Sequence, residues 1–142
     1  MKKRIYLASP FFNEREIEAV AKAESILRDK GFEVWSPREN QFDELGSGTS
    51  EWSLRTYYND RQAIDMSDLM VGLYWGSYSD SGTSFEFGYQ VANNRPLVLV
   101  HLGSDSNLMC HEGAIANLMG LDALKEYDFE KMPSVQYTGK MF

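Results

Sequence analysis

Short apolar runs alternate with longer amphipathic segments along this chain, and this alternation constrains the fold more than any other feature. Runs bounded by turn residues and rich in β-branched or aromatic residues are typical of buried strands. Such runs occur at residues 5–8, 32–35, 69–74 and 96–100. Strands that alternate with helices form a parallel sheet with right-handed crossovers. The sequence therefore predicts a three-layer α/β domain, with a central parallel sheet of four to five strands, over residues 1–142.

Helical patterns follow each predicted strand. The first begins at the N-cap candidate Asn13, has a glutamate at the capping-box spacing, and ends at Lys30-Gly31. The others are predicted at residues 53–67, 83–93 and 107–119. A polar segment without periodicity, residues 36–52, is predicted to be a loop, and loops of this length in compact domains are usually functional or disordered. The tail beyond residue 121 has weak periodicity, so the sequence does not place a fifth strand.

Charge and apolar content narrow the class of partner. The chain has 142 residues, 43% of them hydrophobic, and a formal net charge of −7. This charge opposes binding to nucleic acid polymers, because their affinity for proteins rests on neutralised phosphates. No run reaches the roughly 18 apolar residues of a membrane span, so we expect no transmembrane helix. No signal-peptide cleavage pattern follows the basic start, so we expect no signal peptide. The single cysteine, Cys110, can form no internal disulfide, which favours a cytoplasmic location.

A carboxylate stands where the third predicted strand gives way to a helix. The segment Gly82-Thr83-Ser84-Phe85-Glu86-Phe87-Gly88-Tyr89 follows the apolar run 69–74 through a polar turn. Glu86 therefore falls in the first or second helical turn beyond the carboxyl end of a strand, where open α/β sheets bind ligands. A glutamate near a helix start is also commonly a solvated surface residue. The helix start favours ionised Glu86 and the aromatic neighbours raise its pKa, and the sequence does not decide between these effects.

Other polar and aromatic residues fall on loops or helix starts at the same predicted sheet edge. They are Tyr6, Phe11, Gln41, Asp60, Asp80 and Asn107. We expect the first strand to be central, with these residues around a crevice between it and the third strand. Each also has a simpler interpretation: Gln41 fits a solvated loop, Asp60 a helix surface, and Asp80 a turn. Their convergence on one edge favours a binding site that includes Glu86.

The order and spacing of these residues resemble a known family. The matching motifs are Ile5-Tyr6, Asn40-Gln41, Tyr58-Asn59-Asp60, Gly82-x-x-x-Glu86-x-Gly88-Tyr89 and Asn107-Leu108-Met109. They are similar to those of the nucleoside 2-deoxyribosyltransferases, and the resemblance runs from Ile5 to Phe142. It implies a flavodoxin-like fold and a hexamer. It also implies exchange of the base of a 2′-deoxynucleoside with a free purine or pyrimidine base, without a metal or other cofactor.

The resemblance implies a role for each matching residue. Glu86 would be the nucleophile that forms a covalent deoxyribosyl intermediate, and Tyr6 would orient its carboxylate. Asp60 would protonate the leaving base, so a raised pKa is expected for it. The predicted substrate contacts are Gln41 on the base side, Asp80 and Asn107 on the sugar side, the terminal carboxylate of Phe142 near the base, and Gly82 and Phe12 in the pocket wall. Asn107 would act either in the site of its own chain or in that of a neighbouring subunit.

Three segments depart from the pattern of the family. Ser84 stands where the family often has a second glycine. The loop after the first strand is Ala8-Ser9-Pro10-Phe11-Phe12 rather than a glycine-rich turn, which affects the pocket wall. An unfamiliar run, Gly46-Ser47-Gly48-Thr49, follows Gln41, so the preference for particular bases could differ.

Two other functions stay open on the residues alone. A nucleoside or 5′-nucleotide N-glycosidase would use the same fold and glutamate but pass the sugar to water. A non-catalytic nucleotide-binding module would share only the fold. The chain contains neither of the phosphate-binding motifs GxGxxG and GxxxxGK[ST]. Their absence disfavours a nucleotide N-glycosidase or a binding module that holds a phosphate in a glycine-rich loop. Asp80 would accept a hydrogen bond from a 5′-hydroxyl but repel a 5′-phosphate, so the sequence favours nucleosides over nucleotides.

Overall fold

The fold is built on a five-stranded parallel sheet. The computed structural model describes residues 2–142. Its strands are β1 (Arg4–Ala8), β2 (Glu33–Trp35), β3 (Leu69–Tyr74), β4 (Leu97–His101) and β5 (Ala116–Met119). Its helices are α1 (Glu14–Asp29), α2 (Ser50–Asp65), α3 (Ser81–Ala92), α4 (Leu108–Gly113) and α5 (Leu121–Glu126). The strands lie in the order β2-β1-β3-β4-β5 and all neighbours are parallel, so the predicted three-layer α/β class is confirmed.

The two faces of the sheet carry separate apolar cores. Helices α1 and α5 cover one face, where Leu27 and Leu124 are fully buried. Helices α2, α3 and α4 cover the other face, where Ile64 and Phe87 pack with Met70 of β3. Because both faces are covered, every residue of β3 and β4 is buried, as is typical of parallel strands.

Close packing of α3 on β3 depends on Gly72. A Cβ at this position would overlap the ring of Phe87, which fills the space above the strand. The ring of Phe87 also packs edge-on against Tyr74, with 5.9 Å between centroids. This contact fixes the rotation of α3 about its own axis and therefore fixes the position of the adjacent Glu86.

The predicted helix over residues 107–119 is wrong in its second half. Helix α4 ends at Gly113, and residues 116–119 form β5 beside β4. The buried Asn117 secures this strand, because its Nδ2 donates to the carbonyl oxygen of His111 over 3.1 Å and its Oδ1 contacts His101 Nε2 at 2.8 Å. The short apolar run fits both a helix and a strand, so the open edge of β4 decides its conformation.

Caps set the remaining helix boundaries. The predicted start of α1 is confirmed, since Asn13 Oδ1 accepts from the backbone nitrogen of Glu16 over 2.9 Å. Helix α2 begins at Ser50, three residues before the prediction, because Thr49 caps it, and two 3-10 turns interrupt the preceding loop. Helix α3 begins at Ser81 rather than residue 83, because Asp80 caps it.

The predicted crevice lies at the topological switch of the sheet. Strand β1 is interior, but the middle strand is β3 because β4 and β5 both add beyond it. The order of strands reverses between β1 and β3, and the loops at their carboxyl ends diverge there. None of the helices within residues 2–142 combines the length and the apolar content needed to cross a membrane.

Candidate active site

A cavity of about 250 Å³ opens at the carboxyl ends of β1 and β3, and Glu86 lies in its wall. We call it the Glu86 cavity. The loop after β1, the inner face of α2 and the first two turns of α3 form its walls. Its predicted members are Phe11, Phe12, Asp60, Asp80, Gly82 and Glu86. The structure thus brings together six residues that are separated by up to 75 positions along the chain, 11 to 86.

Tyr6 and Glu86 are joined by a hydrogen bond. The hydroxyl of Tyr6 donates to Glu86 Oε2. Tyr6 is fully buried in β1, and its ring stacks on Trp35 with 5.4 Å between centroids and 14° between planes. The ring cannot turn without disturbing this stack, so its hydroxyl holds the Glu86 carboxylate in one orientation.

Burial decides the protonation of Glu86. Burial, together with the nearby carboxylates of Asp60 and Asp80, raises the pKa of this carboxyl to about 8, although the hydrogen bond from Tyr6 acts to lower it. The sequence leaves open whether the pKa of Glu86 is raised or lowered. In the structure desolvation has the larger effect, and the pKa is raised. Burial and the negative charge of Glu86 in turn raise the pKa of Tyr6 well above its ordinary value, so this hydroxyl keeps its proton.

Asp60 is the second carboxyl in the cavity. It lies on α2 and is half-buried. Burial raises the pKa of Asp60 to about 7, which is the direction predicted for an acid that donates a proton near neutral pH. Two carboxyls with raised pKa values in one cleft are a recurrent feature of acid–base sites.

Asp80 caps α3 and also lines the Glu86 cavity. Its Oδ2 accepts from the backbone nitrogen of Thr83 over 3.0 Å, and its Oδ1 accepts from Thr83 Oγ1 over 2.7 Å. Asp80 is therefore a turn residue that caps α3, and it also lies in the wall of the Glu86 cavity. Gly82 lies directly above this cap, where a Cβ would be 3.1 Å from Asp80 Oδ2. A larger residue would crowd the cap and narrow the cavity.

Gln41 lines a second cavity, of about 530 Å³, beside the first. We call it the side cavity. Phe12 and Asp60 belong to both cavities, and Phe12 is 77% exposed at the boundary between them. Gln41 itself is exposed, and its Nε2 donates to the carbonyl oxygen of Arg38 over 3.0 Å. The structure therefore places Gln41 in the side cavity, which Asp60 also lines, rather than in the wall around Glu86.

Asn107 and Phe142 lie on the opposite side of α3 from the Glu86 cavity. Both line a third cavity of about 710 Å³, between α3 and α4, which we call the α3–α4 cavity. Asn107 caps α4 by accepting from the backbone nitrogen of Met109 over 2.8 Å. A backbone oxygen of Phe142 accepts from the backbone nitrogen of Leu108 over 2.8 Å, which holds Phe142 beside Asn107. Within one chain these two residues do not reach the cavity of Glu86.

Several wall residues escape the sequence analysis. Tyr57 and Arg61 on α2 and Phe85 on α3 line the Glu86 cavity, and Trp52 and Thr56 line the side cavity. The sequence did hold a signal for these residues, because Tyr57 lies three residues before Asp60 and four before Arg61, which places both on the helical face of Tyr57. Within residues 2–142 there is no group of three or more metal-ligating side chains.

Comparison with known proteins decides the family. The sequence profile of the nucleoside 2-deoxyribosyltransferases matches residues 5–119, which include every strand of the sheet except part of β1. The chain belongs to this family. It is 32% identical to the nucleoside deoxyribosyltransferase of Limosilactobacillus fermentum, with 89% of this chain and 86% of that protein aligned. It is 28% identical to the one from Lactobacillus leichmannii, with 99% of both chains aligned.

A solved structure gives the same answer. The 2-deoxyribosyltransferase of Bacillus psychrosaccharolyticus superimposes with a TM-score of 0.88 at 38% identity, over 95% of this chain and 99% of that one. The chain is therefore a nucleoside deoxyribosyltransferase-type enzyme, a pentosyltransferase that acts on deoxynucleosides. The fold, the family and the enzyme class predicted from the sequence are confirmed.

Proposed function

We propose that this enzyme exchanges the base of a 2′-deoxynucleoside through a covalent ester between Glu86 and C1′ of the sugar. The observation that carries this assignment is the hydrogen bond from the buried Tyr6 to Glu86, in a cavity that also holds Asp60. A nucleophilic carboxylate needs a fixed orientation, which this hydrogen bond gives to Glu86, and it needs its ionised form, which the same hydrogen bond favours against the effect of burial.

The first step breaks the bond between C1′ and the base nitrogen. A Glu86 oxygen bonds to C1′ as the base departs with the electron pair of the broken bond. The base takes a proton from Asp60, which leaves Asp60 ionised. In the second step a different base attacks C1′, its ring proton returns to Asp60, and the ester bond to Glu86 breaks. The two steps balance without a metal or redox cofactor.

In the free site the pKa of Glu86 is raised to about 8 and that of Asp60 to about 7, so Glu86 holds its proton more tightly than Asp60. The proposed roles need the opposite arrangement, an ionised Glu86 and a protonated Asp60. The bound nucleoside would supply it, because positive charge that develops at C1′ stabilises the ionised form of Glu86, and the proton then resides on Asp60, where the base receives it. The hydrogen bond from Tyr6 favours the ionised form of Glu86 as well.

Transfer to a base rather than to water requires a closed site, and a second subunit would close it. The side chains of Val91, Met109 and Phe142, which line the α3–α4 cavity, are 38%, 77% and 51% exposed. An apolar rim of this kind is typical of a surface that another protein covers. We propose a homo-oligomer, a hexamer, in which Asn107 and the terminal carboxylate of Phe142 complete the Glu86 cavity of a neighbour.

The remaining substrate contacts follow from the walls of the cavities. Gln41 and Asp60 would contact the base, Asp80 would accept from the 5′-hydroxyl of the sugar, and Gly82 and Phe12 would pack against the nucleoside. For the location we propose the cytoplasm, because Cys110 is a free thiol that suits a reducing compartment.

Chromatography of 2′-deoxyinosine with the enzyme, with and without adenine, tests the proposed reaction. Formation of 2′-deoxyadenosine only when adenine is present identifies base exchange. Glu86→Ala should lose at least about 1,000-fold in kcat, because the nucleophile is gone. The matched variant Glu51→Ala, which removes an exposed glutamate from the first turn of α2, should retain full activity. Wild-type protein should also form a stable adduct with a 2-fluoro-2-deoxy nucleoside, seen by mass spectrometry on Glu86.

Two outcomes would contradict this assignment. Release of hypoxanthine at the same rate in both tubes would identify a hydrolase, and more than about a tenth of wild-type activity in Glu86→Ala would remove Glu86 as the nucleophile.

Mixing inactive variants tests the shared site. Glu86→Ala and Asn107→Ala, dissociated and reassembled together, should recover part of the wild-type activity, because some sites then combine an intact Glu86 with an intact Asn107 from the neighbour. Sedimentation of wild type should give a hexamer. An active monomer at micromolar concentration, or no recovery on mixing, would contradict the assembly.

A further inference from the structure

Residues 135–142 connect β5 with the loop before α4, and we call them the C-terminal segment. At one end of the segment, the backbone nitrogen of Asn117 donates to the carbonyl oxygen of Val135 over 2.9 Å. At the other end, the backbone nitrogen of Phe142 donates to the carbonyl oxygen of Ser106 over 3.0 Å. Backbone hydrogen bonds therefore fix both ends of the segment, and a buried side chain holds its middle.

That side chain is Tyr137, which packs against two buried histidines. Its ring is stacked on His101, with 4.5 Å between centroids and 10° between planes, and lies 4.7 Å from the ring of His111. The histidines are themselves held in place, since His101 Nε2 lies 2.8 Å from Asn117 Oδ1 and His111 Nδ1 lies 2.8 Å from Ser106 Oγ. Stacked rings in a closed pocket allow few orientations, so Tyr137 anchors the segment at one point.

The hydroxyl of Tyr137 holds the turn that leads to Phe142. It donates to the carbonyl oxygen of Lys140 over 2.9 Å. The chain passes so close to this group that a Cβ at Gly139 would lie 2.4 Å from the hydroxyl oxygen. Ring and hydroxyl together therefore fix the path of residues 138–140 and, through it, the position of Phe142.

Asn107 is supported by the same group of rings. Its backbone nitrogen donates to the hydroxyl of Tyr74 over 3.0 Å, and Tyr74 packs edge-on against His101 with 5.8 Å between centroids. Ser106, which directly precedes Asn107, makes the contact with His111. The position of Asn107 therefore depends on the two histidines that pack against Tyr137.

From these contacts we infer that Tyr137 is a positioning residue for base exchange, and that it acts through Asn107 and Phe142 on the site of a neighbouring subunit. Without its ring, a gap would open beside both histidines, and the segment and the start of α4 would shift into it. Glu86 faces the cavity on the other side of α3 and would keep its place. The damage would therefore fall on the site of the neighbour. This inference rests on the proposed function, in which the two subunits share each site.

The variant Tyr137→Leu removes the ring and keeps an apolar side chain. Transfer from 2′-deoxyinosine to adenine should fall about 30-fold in kcat/KM, because Asn107 and Phe142 lose their fixed positions. Tyr137→Phe keeps the ring contacts, and the carbonyl oxygen of Lys140 still accepts from the backbone nitrogen of Ser106. This conservative variant should therefore stay within about threefold of wild type.

Tyr127→Leu is the matched control. Tyr127 is as buried as Tyr137 and also donates to a backbone carbonyl oxygen, that of Pro133, over 2.8 Å. It packs in the core on the face of the sheet that α1 and α5 cover, away from Asn107. Its loss should lower the stability of the protein but leave kcat/KM of the folded enzyme within about twofold of wild type.

Mixing of subunits locates the site that Tyr137 serves. Tyr137→Leu, dissociated and reassembled with Glu86→Ala, should give more activity than the two variants give separately. Some sites then combine Glu86 of the first chain with a correctly held Asn107 of the second. Tyr137→Leu mixed with Asn107→Ala should show no gain, because both chains lend a defective group to the neighbour.

Hydrogen exchange, followed by mass spectrometry, measures the segment without reference to activity. Peptides that cover residues 105–110 and 136–142 should exchange about tenfold faster in Tyr137→Leu than in wild type, but not in Tyr127→Leu. Unchanged exchange would overturn the inference. So would the absence of a gain with Glu86→Ala, if Glu86→Ala and Asn107→Ala do recover activity together. Faster exchange without a gain in either mixture would overturn the shared site instead, and Tyr137 would stand as the anchor of the segment.

Discussion

Replacing Glu86 with glutamine should make the folded protein less sensitive to rising pH. Glutamine keeps the size of the side chain and can still accept the hydrogen bond from Tyr6, but it has no charge. Burial raises the pKa of Glu86 to about 8 in the folded protein, against 4.5 for an ordinary glutamate. Between these pH values the unfolded chain releases a proton that the folded protein keeps. The wild type therefore has its full stability below about pH 4.5 and loses stability as the pH rises to about 8.

The size of this effect follows from the pKa difference. A rise from 4.5 to about 8 corresponds to a ceiling of about 5 kcal/mol, at about 1.4 kcal/mol for each pKa unit. Glu86 is half-buried at a cavity that opens to solvent, so water screens its charge. Half of the ceiling, about 2 to 3 kcal/mol, is therefore the expected gain from the substitution at alkaline pH. Asp60 stays in place and keeps its own contribution to the pH dependence.

Urea unfolding of wild type and Glu86→Gln at about pH 5.5 and about pH 8.5 measures this difference. Protein concentration must be equal throughout, since assembly contributes to the stability of an oligomer. The free energy of unfolding of Glu86→Gln, relative to wild type, should increase by roughly 2 kcal/mol between the two pH values. Glu51→Gln, at an exposed position, should show no such increase. A difference that is the same at both pH values would refute the argument that burial destabilises the charge on Glu86.

Three further predictions concern groups around the same site. Tyr6→Phe removes the donor that lowers the pKa of Glu86, so kcat should fall roughly 10- to 100-fold. In a pH–rate profile, the pH at which activity reaches half its maximum should move upward. An unshifted profile would contradict the role of Tyr6. Asp80→Ser keeps an N-cap on α3, so the protein should fold, and kcat/KM for deoxyadenosine 5′-monophosphate relative to deoxyadenosine should rise about tenfold. Wild type that uses both substrates equally would remove Asp80 as the discriminator. Glu24→Ala leaves Arg38 without its buried partner, so the free energy of unfolding measured with urea should fall by about 2 kcal/mol. A fall of less than about 0.5 kcal/mol would mean that solvent already screens the charges of this pair.

The sequence by itself determined the parts of this protein that depend on neighbouring residues. The four apolar runs became β1 to β4 because a buried parallel strand needs a short apolar run between turn residues. Asn13 caps α1 because its side chain reaches a nitrogen three residues on. The position of Glu86 beyond the end of β3 follows from one strand and one helix start, and both can be found in a local pattern.

Only the tertiary structure decided where distant groups meet and which effect controls each of them. Strand β5 formed because β4 offered a free edge, although the run 116–119 also fits a helix. Asn107 and Phe142 carry family motifs, yet they lie across α3 from Glu86, since α4 and the C-terminal residue pack on the far side of that helix. The pKa of Glu86 rises because burial outweighs the hydrogen bond from Tyr6, and the extent of burial depends on how α2, α3 and β1 pack together. A sequence lists these groups in order along the chain, whereas desolvation and contact depend on distances in space.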